Sequence, residues 1–103
     1  MSHLPHLLAF AYLLGLMDQP DHLDWMDRAG PGFRDFSRIA ASDPVIWRDI
    51  LMANASNVLA QSEHFSTALL TLSDAIRAGD AQALQALIQR ASAQRAQWHP
   101  EGF

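Results

Sequence analysis

Arg34 and Arg38 stand four residues apart in a stretch, Arg28 to Arg48, that holds four of the chain's seven arginines in twenty-one residues. At that spacing two side chains share a helix face, where like charges repel by on the order of a few tenths of a kcal/mol. Something should offset that cost. Asp35, three residues before Arg38, can hold its guanidinium by an ion pair. Gly30-Pro31-Gly32 leaves the backbone N–H groups of the following helix start uncrowded, next to the positive end of its dipole. Two guanidinium forks beside such a start suit a carboxylate or a phosphate bound through paired hydrogen bonds. The same residues also read as a solvated face with arginines paired to Asp27, Asp35, Asp43 and Asp49. On residue types alone that plainer reading leads slightly.

The other chemistry-bearing residues give less. His3 and His6 share a face at the start of the first helix, but no HExxH pattern and no third ligand accompanies them, so no metal site is expected. A histidine there can also donate a hydrogen bond to a ligand, or simply cap or face solvent. Asp18, Asp21, Asp24 and Asp27 recur every third residue without the central Gly and closing Glu of a calcium loop, so they read as caps and an acidic face. Trp47 is core by type, though its closeness in sequence to Arg38 raises its interest. Ser42 has no activating base at a useful spacing. Gly30-Pro31-Gly32 lacks the GxGxxG pattern and follows a helix, so it is no dinucleotide loop.

The elements that must position these residues read as all helix; there is no period-two alternation and no hairpin signal. Leu4 to Met17 is apolar on nearly every face, which predicts burial on all sides. Asp18 to Pro20 breaks it. Asp21 is placed to cap a short helix, His22 to Ala29, with Asp24 as the acid of a capping box. A second short helix spans about Phe33 to Ala41. Asp43 and Pro44 then mark a start, cap followed by first-turn proline. From Pro44 to Ala78 the pattern continues unbroken, with Trp47, Leu51, Asn54, Val58, Gln61, Phe65, Leu69, Leu72 and Ile76 on one face. Gly79 ends it and Asp80 caps a last helix with a stripe of Leu84, Leu87, Ile88, Ala91 and Trp98. His99 to Phe103 carries no signal.

A helix over 44–78 is roughly 50 Å long at about 1.5 Å per residue, more than one small domain covers. With the all-round apolar first helix, it predicts an obligate partner, by default a second copy in two-fold symmetry. The alternative is a kink near Asn54 to Asn57.

Length and composition set the outer limits. The 103 residues make one modest domain, 50% hydrophobic and 17% charged, with net charge −4 and no Lys. That surface suits neither nucleic acid nor an anionic membrane. Absence of Cys excludes disulfides and thiolate metal sites. The longest apolar run, Leu7 to Met17, is eleven residues, against the ~20 of a spanning helix. No secretory leader is evident.

Ser2-His3-Leu4-Pro5-His6 with Leu7 to Ala11, and the block Gly30-Pro31-Gly32-Phe33-Arg34-Asp35-Phe36-Ser37-Arg38-Ile39-Ala40-Ala41-Ser42-Asp43-Pro44 followed by Trp47-Arg48-Asp49-Ile50, resemble the C-terminal helical domain of prephenate/arogenate dehydrogenases. The motifs run from Ser2 to about Asn57; beyond that only the helical pattern agrees. The resemblance implies an NAD- or NADP-dependent oxidative decarboxylation of prephenate or arogenate, on the way to tyrosine, in the cytoplasm. It implies an N-terminal Rossmann domain carrying the cofactor and the catalytic His, and a helical domain that makes a homodimer and closes the substrate cleft. By motif match Arg38 would bind a substrate carboxylate, Asp35 would orient Arg38, His6 would contact substrate, Arg34 would stand where relatives often have Lys, and Trp47 would reach toward the partner subunit's site.

Pro31 departs from the Gly common in the family. The Rossmann half is missing, and Met1 directly before Ser2 reads as an artificial start. The chain is therefore expected to be a fragment, a single helical domain over 1–103, inactive alone and binding no cofactor. Two other readings stand beside it: a free-standing homodimeric helical interaction module whose Arg cluster is structural, and a small anion sensor at Arg34 and Arg38.

Overall fold

The structure, a computed structural model, describes residues 3–98. Its elements are α1 (His3–Met17), α2 (His22–Asp27), α3 (Pro31–Ser37), a 3-10 turn (Arg38–Ala40), α4 (Pro44–Ala53), α5 (Ala55–Arg77) and α6 (Ala81–Gln97). Among the described residues there is no strand. The all-helical expectation holds.

Each boundary has a local cause. Leu- and Ala-rich α1 takes Pro5 in its first turn, where the missing N–H leaves no broken bond. It stops before Pro20, with the Gln19 N–H donating to the Leu16 carbonyl at 3.0 Å. The Asp43 carboxylate accepts from the Val45 and Ile46 N–H groups at 2.9 and 3.1 Å, and Pro44 follows at the first helical position. This cap is worth about 1 kcal/mol. Behind α5, Gly79 takes φ +67°. Its N–H donates to the Ile76 carbonyl and the Asp80 N–H to that of Ala75, both at 3.0 Å, which closes the helix end in the left-handed Schellman manner. Asp80 then turns its carboxylate to the Ala83 N–H at 3.0 Å and starts α6.

Several expectations need correction. The helix expected to be continuous over 44–78 is interrupted at Asn54, whose φ −121° and ψ 31° are not helical. Asn side chains compete for local hydrogen bonds and weaken a helix interior, and this one has found such partners. Asp21 makes no side-chain cap bond, because its φ −97° and ψ 16° lie outside the extended region a cap residue uses. Asp24 pairs instead with Arg28 at 3.4 Å. The helix expected from Phe33 begins at Pro31, since a proline suits the first position, and tightens to a 3-10 turn at Arg38.

The chain divides into two compact units, Met1–Ser62 and Glu63–Phe103. In the first, α1 packs on α3 and on the 3-10 turn. Tyr12 of α1 meets Phe33 and Phe36 of α3 at 5.7 and 5.6 Å between ring centroids. In the second, Leu72 of α5 and Leu87 of α6 line one apolar groove with Ala68, Ile88 and Ala91.

Neither unit covers its apolar side chains. Among the described residues the buried apolar positions are Ala9, Val58 and Ala75, none of them large. Met52 is 73% exposed and Leu14 64%. The expected burial of α1 on all sides is therefore not met within one chain: Tyr12, Leu14 and Met17 face outward. Nor is the stripe of α6 covered, since Ile88, Ala91 and Trp98 are exposed. Ordinary domains of this length enclose large aliphatic and aromatic residues. Exposed apolar area of this extent marks a surface that another body covers.

Candidate functional site

Three residues of α1, one of α4 and the residue that ends α4 come together in the first unit. His6 lies flat on the Trp47 indole, with ring centroids 3.5 Å apart and planes 13° from parallel. His3 meets the same indole edge-on, 6.2 Å away at 82°. Phe10, one turn further along α1, tilts against His6 at 6.3 Å. The fifth is Asn54, whose Nδ2 lies 2.9 Å from His3 Nδ1. The spacing His3-Leu4-Pro5-His6 puts both imidazoles on one helix face, and Trp47, one turn inside α4, supplies the surface they share. Phe10 and Trp47 also border a cleft with Ala40, Ser42, Arg48 and Leu51.

The arginines are placed differently. Arg34 lies in the last turn of α3 and Arg38 caps its C-terminal end. They are therefore not beside the helix N-terminus, as the glycine-flanked start had led one to expect; α3 is only seven residues long, and its first position is a proline without an N–H. Cations at a helix C-terminus are favoured by the dipole, which offsets their mutual repulsion.

The Asp35–Arg38 ion pair expected from spacing does not form within 4.0 Å. Both side chains are exposed, and an exposed pair of this kind gains under about 1 kcal/mol against water and side-chain entropy. Of the four clustered arginines, Arg28 pairs with Asp24 and Arg48 with Asp49, at 3.4 and 2.9 Å. Arg34 and Arg38 pair with no carboxylate among the described residues. Asp43 is engaged as a cap. The Ser42 hydroxyl donates to the Ile39 carbonyl, which leaves it as a turn residue.

Of the residues singled out in the sequence, the structure thus joins His6 with Trp47. It leaves Arg34, Asp35 and Arg38 exposed on α3 and the turn after it. Trp47, expected to reach toward a partner's site, is engaged by two histidines of its own chain. In the sequence Asn54 stands on a helix face and marks the alternative kink; its contact with His3 carries no sequence signal beyond the polar pair Asn54 and Asn57.

Among the described residues no group of three or more His, Cys, Asp or Glu could hold a metal ion. No helix there is long and apolar enough to cross a membrane. Among the described residues there is no strand, and the sequence carries no GxGxxG fingerprint.

The family model for the prephenate dehydrogenase dimerization domain matches residues 1–90. Among curated proteins the chain is similar to a cyclohexadienyl dehydrogenase of Zymomonas mobilis, 37% identical over 82 residues, which are 77% of this chain and 28% of that protein. It is similar to a prephenate dehydrogenase of Bacillus subtilis, 38% identical over 60 residues, or 57% of this chain and 16% of that protein. A prephenate dehydrogenase of Lactococcus lactis is 33% identical over 86 residues, 82% of this chain and 24% of that protein. The chain thus spans less than a third of the length of each of these relatives. No solved structure matches it significantly.

Proposed function

Since the chain belongs to the prephenate dehydrogenase dimerization-domain family, we propose that it is the C-terminal dimerisation and substrate-binding domain of a prephenate or arogenate dehydrogenase. The parent enzyme would oxidise and decarboxylate prephenate to 4-hydroxyphenylpyruvate and carbon dioxide, reducing NAD or NADP, in the cytoplasm. The hydride chemistry belongs to an N-terminal Rossmann domain, because this chain has no residues for the cofactor. Alone it is inactive.

Within that enzyme the residues of this chain bind and orient. Arg38 takes a substrate carboxylate through its planar fork, with Arg34 adding positive charge on the same face. Asp35 orients Arg38 only once the cleft has closed and water has left, since in the open chain the two do not pair. His6 donates to a substrate oxygen, and Trp47 supports its ring from beneath.

The observation that carries this reading is the pair of exposed guanidiniums, Arg34 and Arg38, which pair with no carboxylate among the described residues of a chain of net charge −4. Their guanidiniums are open to a carboxylate ligand, whereas those of Arg28 and Arg48 are engaged by Asp24 and Asp49. The exposed apolar residues of both units support a homodimer, as their coverage requires a second surface.

The test is turnover by the full-length protein that carries this chain. Formation of reduced nicotinamide and 4-hydroxyphenylpyruvate from prephenate supports the reading. A protein inert toward prephenate and arogenate with both cofactors contradicts it and favours a helical interaction module.

A further inference from the structure

Resting on the reading of His6 and Trp47 as the substrate-facing pair, we propose that Asn54 is a positioning residue that fixes the tautomer of His3 and, through His3, the setting of the Trp47 indole. Asn54 stands where the backbone leaves helical geometry between α4 and α5. Its amide is held at both ends. Asn57 Nδ2 donates to Asn54 Oδ1 at 3.0 Å, which leaves the Nδ2 end for His3 Nδ1, 2.9 Å away in a part-buried contact. An amide NH₂ only donates. The Nδ1 of neutral His3 therefore accepts, and the ring carries its proton on Nε2.

The consequence passes along a row of contacts. His3 stands edge-on to the indole at 82°, and His6 lies on the indole at 13°. The electrostatics of an edge-on contact depend on which ring atoms carry hydrogen. A change of proton at His3 thus alters the support of Trp47, and with it the surface on which His6 rests. His3, Asn54, Asn57 and Gln61 also line one small cleft without a charged side chain, so the tautomer is set by donors and acceptors rather than by an ion. A residue serving only to break a helix needs none of these bonds.

The test uses the chain labelled with nitrogen-15 at histidine, at a pH above the ordinary imidazole range, where long-range nitrogen–proton correlations read each tautomer. The native chain should show His3 protonated at Nε2. In Asn54→Asp, nearly equal in size, the carboxylate only accepts, so the proton should move to Nδ1. In Asn54→Leu the two tautomers should mix, and the His6 ring protons should lose part of the upfield shift imposed by Trp47. Protonation at Nδ1 in the native chain, an unchanged tautomer in Asn54→Asp, or an identical His6 shift in the native and leucine chains would overturn the proposal. If the leucine variant does not fold, the aspartate variant decides alone. The substrate-facing reading fails separately, if His6 and Trp47 substitutions leave the KM of the full-length enzyme unchanged, and that failure leaves the tautomer result intact.

Discussion

His6 at the start of α1 and Trp47 in α4 lie face to face at 3.5 Å, so one stack ties the chain's first helix to its fourth. A close aromatic pair contributes about 0.5–1.5 kcal/mol beyond its buried area. A double-mutant cycle with His6→Ala and Trp47→Leu, followed by denaturant unfolding, should return a coupling energy in that range. Simple additivity would show that the stack contributes no energy of its own.

Asp43 caps α4 with two backbone hydrogen bonds. Asp43→Ala should lower stability by about 1 kcal/mol, and Asp43→Ser should retain most of it. The midpoint of thermal unfolding checks both. Equal losses would mean that the carboxylate's charge, rather than its acceptor geometry, matters.

Gly79 offers a cleaner backbone test. A Cβ built there meets nothing within 4 Å, so Gly79→Ala brings no clash; only the φ of +67° is disfavoured. The expected cost is about 1 kcal/mol, from the left-handed conformation. No loss would mean that the turn after α5 relaxes freely.

These caps were legible in the sequence because each rests on neighbouring residues: Asp43 with Pro44, Gly79 with Asp80. The family was legible for a similar reason, since the block from Gly30 to Pro44 is contiguous. What could not be read depends on distance or on competition. A kink near Asn54 to Asn57 was legible only as an alternative, because helical periodicity continues across it and its partner His3 lies fifty-one positions away. The missing Asp35–Arg38 pair reflects a balance with water too fine for spacing to decide. The stack of His6 on Trp47 needs the whole first unit folded.

The exposed apolar residues predict a dimer. Light scattering at micromolar concentration should report twice the mass of the 11.4 kDa chain. Ile88→Glu replaces an exposed apolar side chain of α6 with a charge, and should weaken association by about tenfold or more, because a contact made over Ile88 would have to desolvate a carboxylate. A well-behaved native monomer would contradict the dimer.

The proposed binding of a substrate carboxylate by Arg38 is tested most directly by the KM of Arg38→Ala in the full-length protein that carries this chain. Loss of a charged hydrogen bond costs about 1.5–3 kcal/mol, so KM for prephenate should rise roughly 10- to 150-fold, while the affinity for the nicotinamide cofactor stays as it was. An unchanged KM would remove Arg38 from the substrate site and leave the cluster a solvated helix end.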